Sequence, residues 1–173
     1  MILMRSALKL KIAMNNMEKP IDFVCCDFEN PTHLQELARL TVLYMNDPMG
    51  GAVPLSKLEQ LRLVDGLANH PSAFVLFVTY GDEIAGLATC FVNFSTFKVK
   101  PYFNVHDVVV DHRFRGKSLG RKLLQQIVDI AADRGYCKVS LEVREDNLTA
   151  QTLYASLGFE ECSPKMFYWT KML

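Results

Sequence analysis

The chain has 173 residues, of which 50% are hydrophobic and 22% are charged. This balance is typical of a packed globular protein and excludes a disordered chain, and the length fits one domain. Because 19 basic residues balance 19 acidic ones, the net charge gives no attraction toward nucleic acid or an anionic membrane, and neither is predicted as a partner.

The N-terminal stretch does not have the pattern of a secretory signal. Lys9 and Lys11 interrupt its apolar run, and no small-residue cleavage site follows. A cytoplasmic location is therefore expected. Several methionines precede the first predicted strand, so we expect residues 1–16 to be an extension and residues 17–173 to form a single domain.

The cysteines show neither the paired spacing of a metal site nor a disulfide framework. They are Cys25, Cys26, Cys90, Cys137 and Cys162. Reduced thiols and no bound metal are expected.

The first half of the chain predicts a short strand at residues 21–28 and then two helices. Asn30 precedes the first helix, which the Gly50-Gly51 pair ends. The second helix covers residues 54–68, with Leu58, Leu61 and Val64 at helical spacing. Both helices precede the main run of strands.

The middle of the chain predicts three strands. Residues 73–80 and 84–94 are β-rich and flank a turn at residues 81–83, as in a hairpin. Their nearly continuous apolar character predicts burial on both faces. Residues 105–110 form the next strand.

The second half predicts helix, strand, helix and final strands. An amphipathic helix follows residue 118, a strictly alternating strand covers residues 137–143, and Asn147 caps a further helix that Gly158 ends. Residues 159–173 are aromatic-rich and strand-like. The order predicts an α/β, mixed sheet flanked by helices, with a βαβ crossover at residues 105–143.

The segment from Val108 to Arg121 carries the strongest functional signal. A valine strand runs into a short basic, glycine-containing loop and then directly into a helix. The first N–H groups of a helix have no partner within it, and the helix dipole favours anions there. The loop lacks both the Walker spacing and the Gly-x-Gly-x-x-Gly pattern of dinucleotide folds. It therefore predicts a phosphate site of another kind.

This loop resembles the Gln/Arg-x-x-Gly-x-Gly/Ala loop of the GCN5-related N-acetyltransferase superfamily, with Arg115, Ser118 and Gly120 at the marked positions. Ser118 stands where the family usually has glycine. The later segment from Asn147 to Phe159 also matches the family, through Ala150, Tyr154 and Gly158. The resemblance covers about residue 73 to the C-terminus and implies a largely antiparallel mixed sheet with acetyl-coenzyme A as co-substrate.

The resemblance also implies roles for individual residues. The backbone of Val108, Val109 and Val110 would hold the acetyl carbonyl and the pantetheine arm, Asn147 would contact coenzyme A, and Tyr154 would bind it and protonate the departing thiolate. The pyrophosphate cradle would consist of Arg115, Gly116, Lys117, Ser118, Leu119, Gly120 and Arg121.

An alkyl amine is protonated at neutral pH and needs a base before it attacks. We expect His106 to fill this role because imidazole titrates near neutral pH. Asp107 and Glu142 are alternatives. Strand alternation predicts that His106 and Asp107 point to opposite faces, with at most one of them facing the cleft.

The acceptor is predicted less sharply than the donor. Residues 92–97 and 105–107 resemble part of the diamine and polyamine acetyltransferases, but His106 replaces their glutamate. A small-molecule amine is favoured, with its pocket shaped by residues 43–53. Amino acids, aminoglycosides and protein amines are alternatives. The resemblance also implies homodimerisation. Two non-enzymatic alternatives are a coenzyme A sensor and an interaction module using the aromatic residues at 166–169.

Overall fold

The computed structural model describes residues 19–51 and 53–173, so the predicted extension at residues 1–16 lies outside the described residues. The helices and strands are β1 Phe23–Cys25, α1 Pro31–Met45, α2 Lys57–Ala68, β2 Ala73–Tyr80, β3 Glu83–Ser95, β4 Lys100–Val110, α3 Leu119–Asp133, β5 Val139–Leu141 and α4 Leu148–Ala155. The sheet order is β1-β2-β3-β4-β5. Its first four strands are antiparallel, and β5 runs parallel to β4. The predicted mixed, largely antiparallel sheet with one βαβ crossover is confirmed.

Local sequence explains where the two N-terminal helices begin. The side chain of Asn30 accepts from the Thr32 N–H at 2.9 Å. Ser56 and Glu59 form a capping box at the start of α2, where each side chain accepts a backbone N–H of the other residue. These caps satisfy donors that a helix start leaves without partners.

The sheet separates two hydrophobic cores. The first core packs α3 and α4 against one face, and its fully buried residues include Leu123, Leu124 and Ile127. The second core packs α1 and α2 against the other face around Leu37, Leu40 and Phe77. The strictly periodic apolar stripe of α3 explains its position, since one helix face must be buried against the sheet.

A β-bulge interrupts β4 at His106. Thr89 of β3 pairs with Asp107, but the next residue, Cys90, pairs with Val105, which leaves His106 as an extra residue. The alternation therefore changes phase. Phe103 and Val105 face the first core, as do Val108 and Val110, whereas Val109 faces the second core.

The two parallel strands separate soon after they meet. Phe103–Val105 of β4 pairs with Val139–Leu141 of β5, and in the described chain the pairing does not extend to the carboxyl end of β4. We call the space beside residues 106–110, on the side of β5, the β4–β5 gap. It opens the sheet at the point where β4 leads into the predicted phosphate loop.

Several expectations about the elements are wrong. The first strand and the strand predicted at residues 137–143, which covers only Val139–Leu141, are shorter than predicted, and residues 159–173 form no strand in the described structure. Strand propensity alone does not form a strand, because in the described structure these residues pair with no neighbouring strand. The side chains from Met166 to Trp169 are exposed. Leu58 and Leu61 are exposed as well, since α2 turns Leu63, Val64 and Leu67 toward the second core. No helix in residues 19–51 and 53–173 is long and apolar enough to cross a membrane.

Candidate active site

The segment from Gly116 to Arg121 presents a row of free backbone N–H groups. The first helical hydrogen bond is donated by Lys122 to the Ser118 carbonyl at 3.1 Å. Within residues 19–51 and 53–173, the six N–H groups from 116 to 121 have no hydrogen-bond acceptor. The row lies at the N-terminus of a 15-residue helix. This arrangement suits an anion with several oxygens, such as a pyrophosphate.

Two residues shape this row by adopting positive φ. Gly116 has φ +79°, which glycine adopts at no steric cost. Ser118 has φ 57° and ψ 19°, in the left-handed region, and its side chain makes no cap hydrogen bond. A serine there carries strain that glycine would avoid. Ser118 thus adopts a backbone conformation that glycine, the usual residue of the resembled pattern, would adopt without strain.

The basic side chains of the cradle contact protein partners. Arg115 donates from Nη2 to Asp47 Oδ2 at 2.8 Å, which helps to hold the pKa of Asp47 below its usual range. Lys117 lies 4.8 Å from the centre of the Tyr80 ring. Arg121 donates to the hydroxyl and carbonyl of Ser156 at the end of α4. Backbone N–H groups, more than side chains, therefore form the anion site.

A buried carboxylate fixes the start of the loop. Asp111 follows β4, is 1% exposed, and accepts hydrogen bonds from Arg39 Nη1 at 2.7 Å and Arg113 Nη2 at 2.8 Å. Burial alone would raise the pKa of Asp111, but the bonds from Arg113 and Arg39 outweigh it and lower the pKa. Since Arg39 belongs to α1, this pair ties α1 to the carboxyl end of β4.

Backbone groups of β4 line the β4–β5 gap. The Asp111 N–H donates to the Ala85 carbonyl of β3 at 2.8 Å. Because successive residues of a strand point their N–H and C=O groups to opposite sides, those of Val108 and Val110 point toward the gap. Consistently, Arg115 Nε donates to the Val110 carbonyl at 3.4 Å from that side.

The predicted tyrosine lies on the α4 side of this gap. Tyr154 packs against the first core, as do Val108 and Val110. Burial raises its pKa, and the nearby phenol of Tyr44 raises it further. Tyr154 therefore stays protonated at neutral pH and can donate a proton. Asn147 caps α4 by accepting from the Ala150 N–H at 3.1 Å, so its side-chain oxygen is already engaged.

A cavity of about 360 Å³ lies on the opposite side, between β4 and the two N-terminal helices. Its polar wall is formed by Thr41, Tyr44, Thr89, His106 and Asp107. Tyr44, Met45 and Gly50 come from the segment that the sequence predicts to shape the acceptor pocket. The cavity adjoins the β4 backbone just before Val108. An amine held in it would approach the gap from the side opposite Tyr154.

The bulge brings both candidate bases to this cavity. His106 and Asp107 line it together, with Nδ1 and Oδ1 3.7 Å apart, so the prediction that they face opposite sides is wrong. The bulge cancels the alternation on which that prediction rested. His106 is 64% exposed, whereas Asp107 is 26% exposed. Burial raises the pKa of Asp107, although His106 and Thr89 partly offset it.

Glu142, the third candidate base, is exposed on the chain after β5 and does not line the cavity. In the described part of the chain, no three His, Cys, Asp or Glu side chains are grouped to hold a metal ion. Burial raises the pKa of the Cys90 thiol to about 12, which makes it a poor nucleophile.

Sequence reasoning placed residues 43–53 at the acceptor pocket but did not single out two of them. Tyr44 lies in an ordinary amphipathic helix pattern, and burial and the Asp107 carboxylate raise its pKa. Asp47 follows the same helix, and its bond to Arg115 spans 68 residues of sequence. No local signal marks either residue. Their proximity to β4 arises from the packing of α1 on the sheet.

Comparison with known proteins identifies relatives of this chain. The model of the acetyltransferase (GNAT) family matches residues 22–159. A [ribosomal protein bS18]-alanine N-acetyltransferase of Salmonella typhimurium is 40% identical over 63 residues, which cover 36% of this chain and 43% of that protein. A thialysine N-epsilon-acetyltransferase of Bos taurus is 27% identical over 81 residues, which cover 47% of each protein. The chain thus spans less than half the length of these curated relatives.

Solved structures agree with the sheet and helices described above. The structure of a possible acetyltransferase from Clostridium difficile 630 has a TM-score of 0.75 at 19% identity, covering 88% of this chain and 99% of that one. At that identity the likeness concerns the fold alone. Together with the match of the family model over most of the chain, the unpaired cradle and the open sheet place this protein in the acetyltransferase (GNAT) family.

Proposed function

We propose that this protein transfers an acetyl group from acetyl-coenzyme A to a primary amine by direct attack in a ternary complex. The supporting observation is the continuity of unpaired backbone. Free N–H groups from 116 to 121 lead into the β4–β5 gap, which adjoins a cavity with a carboxylate at its wall. The free N–H groups and the gap fit a thioester that carries phosphate groups, and the cavity fits an amine.

In this proposal the residues of the cradle, Arg115 to Arg121, bind the pyrophosphate, and the backbone of Val108 to Val110 positions the thioester arm. The Val108 N–H points into the gap next to the cavity, where it would stabilise negative charge on the thioester carbonyl oxygen. Because this donor belongs to the backbone of a paired strand, it is fixed before the reaction begins. The Asn147 side chain caps α4, so its predicted contact with coenzyme A falls to its remaining amide N–H groups.

Proton transfers would occur on both sides of the gap. His106 and Asp107 would receive the proton of the attacking ammonium, with the exposed imidazole passing it to solvent. Tyr154 would supply a proton to the departing thiolate, since its raised pKa keeps the phenol protonated. The C–S bond breaks as the C–N bond forms, and free coenzyme A leaves with the proton from Tyr154. The second proton lost by the nitrogen passes through water to restore the Tyr154 phenol.

A small-molecule amine is the favoured acceptor because the cavity encloses about 360 Å³. A protein amine is the second candidate. It is supported by the relative whose name describes acetylation of an alanine of ribosomal protein bS18. That relative and the thialysine enzyme differ in acceptor, so the family by itself does not select between the two.

The test is release of free thiol from acetyl-coenzyme A in the presence of amines, together with calorimetric titration of coenzyme A. Thiol release that depends on both amine and protein supports the proposal. Binding of coenzyme A without turnover on a broad amine and peptide panel favours the sensor alternative. Absence of coenzyme A binding would contradict the assignment of the cradle.

A further inference from the structure

We call the cavity between β4 and the two N-terminal helices the acceptor cavity. Charged side chains are unevenly distributed on its wall. In the part of its wall that the structure describes, Asp107 is the single carboxylate, and no lysine or arginine is present. Asp107 and His106 lie together on β4. The remaining wall from α2 and β3 is largely apolar and includes Leu63, Leu67 and Phe91.

An ammonium group has a negatively charged partner at one place in the described wall of this cavity. It can lie beside the carboxylate of Asp107, next to the backbone where attack on the thioester would occur. A second ammonium on the same molecule would lie against leucine and phenylalanine side chains. Removing a charge from water without a compensating partner is costly, so such a molecule is rejected.

A carboxylate on the acceptor meets a similar obstacle. The described wall offers neither a guanidinium nor a second ammonium to pair with it, and Asp107 would repel it. By contrast, an alkyl or aryl group would gain free energy by displacing water from Leu63, Leu67 and Phe91. The wall therefore favours one chemical class of amine.

We infer that the acceptor is a primary amine with a single positive charge and an apolar substituent, rather than a polyamine, an aminoglycoside or an amino acid. This inference rests on the proposed acetyl transfer. It assigns Asp107 to the recognition of the ammonium and Leu63, Leu67 and Phe91 to the selection of the substituent.

Three amines of equal chain length test the inference: pentylamine, 1,5-diaminopentane and 5-aminopentanoate. They share one reacting amine and differ at the far end, which carries a methyl group, an ammonium or a carboxylate. We expect kcat/KM to be highest for pentylamine, by about 10- to 100-fold over each of the others. Equal or higher values for the diamine or the amino acid would overturn the inference.

A charge-placement variant gives a second test. Leu63 is half-buried on α2 and lines the apolar wall. Leu63→Glu supplies the missing second carboxylate and should raise the ratio of diaminopentane to pentylamine kcat/KM by about tenfold. Leu63→Gln is the matched control, with nearly the same shape and no charge, and should leave diaminopentane disfavoured.

The outcomes separate this inference from the proposed function. Thiol release with similar kcat/KM for all three amines would leave acetyl transfer intact and overturn the selectivity. An unchanged ratio in a folded Leu63→Glu protein would show that the far end of the amine does not reach this wall and would overturn it as well. Absence of thiol release with every amine, despite coenzyme A binding, would instead contradict the proposed function.

Discussion

At the scale of single residues, the environments of the side chains proposed as acid and base suit opposite tasks. Tyr154 is buried on the first core, and its raised pKa preserves the proton that a leaving thiolate needs. Asp107 is partly buried at the cavity, and its raised pKa makes it a stronger base than an exposed carboxylate. The two side chains flank the β4 backbone from opposite faces of the sheet.

Replacing Tyr154 with phenylalanine removes the proposed proton donor while keeping the packed ring. We expect kcat to fall by about 100- to 1,000-fold with little change in coenzyme A affinity, as measured by steady-state thiol release and calorimetry. Tyr136→Phe is the control, because Tyr136 packs edge-on against Phe103, away from the gap. Similar kcat values for Tyr154→Phe and the parent would assign Tyr154 to the core alone.

The pH dependence of kcat/KM tests Asp107. A base must be ionised to accept a proton, and burial raises the pKa of this carboxyl. The rate should therefore fall as pH decreases through the raised pKa, at a higher pH than for an exposed aspartate, whose pKa is about 4. Asp107→Asn should lower kcat/KM by about 100-fold or more and abolish this acidic limb.

The comparison with His106→Gln identifies which group controls the acidic limb. If Asp107 controls it, the acidic limb of the kcat/KM profile persists in His106→Gln, with lower kcat/KM values. An acidic limb that disappears with His106 and persists in Asp107→Asn would transfer the role of base to the histidine.

At the scale of elements, the loop before α3 combines free N–H groups with backbone strain at Ser118. The α3 helix is held by a continuous apolar face, so the loop must turn sharply to join it to β4. The positive φ of Gly116 and Ser118 accomplishes this turn. The strained conformation of Ser118 lowers the stability of the folded protein, and the same conformation positions the row of free N–H groups.

Replacing Ser118 with glycine should relieve this strain. We expect the free energy of unfolding to rise by about 0.5–1 kcal/mol. Glycine adopts positive φ without a steric penalty, and this gain exceeds the stability lost because glycine has more entropy in the unfolded chain. Urea denaturation measures the change. Ser118→Ala keeps the β-carbon and should not stabilise the protein, so equal gains in both variants would contradict the strain. Weaker coenzyme A binding in both would indicate that the hydroxyl contacts the phosphate.

At the scale of the whole molecule, Asp111 connects elements that are distant in sequence. Its carboxylate joins Arg39 of α1 to the end of β4, across 72 residues of sequence, and also binds Arg113 in the loop. The acceptor cavity depends on α1, and the cradle depends on the end of β4. This buried ion pair therefore sets the position of one half of the site relative to the other.

Removing the Asp111 charge should destabilise the folded protein. Asp111→Asn leaves Arg39 without its buried partner, and we expect a loss of about 2–4 kcal/mol of unfolding free energy at pH 7. Because the folded pKa is lowered, the stabilisation is present above the unfolded pKa of about 4 and is lost as pH falls toward the folded value. The difference between parent and variant should therefore shrink below about pH 4.

Asp146→Asn is the matched control because it removes the same charge from an exposed ion pair with Arg144. Its effect on the free energy of unfolding should be much smaller than that of Asp111→Asn. Equal losses in the two variants would mean that burial of Asp111 confers no special stability.

The sequence alone determined the order of the elements from β1 to α4 and the family, and it predicted the position of the cradle. These depend on local patterns: the apolar period of α3, the loop between Arg115 and Gly120, and the Asn147 cap. Each pattern is encoded within a few residues, because helix periodicity and the free N–H groups of a helix start are local properties.

Tertiary structure decided which side chains share the acceptor cavity. The bulge at His106 reversed the alternation and brought His106 and Asp107 to one side, and the packing of α1 brought Tyr44 and Asp47 to β4. Strand pairing also decided that residues 159–173, although strand-like, lie outside the sheet. Register and pairing depend on contacts between residues far apart in sequence, so no local pattern could specify them.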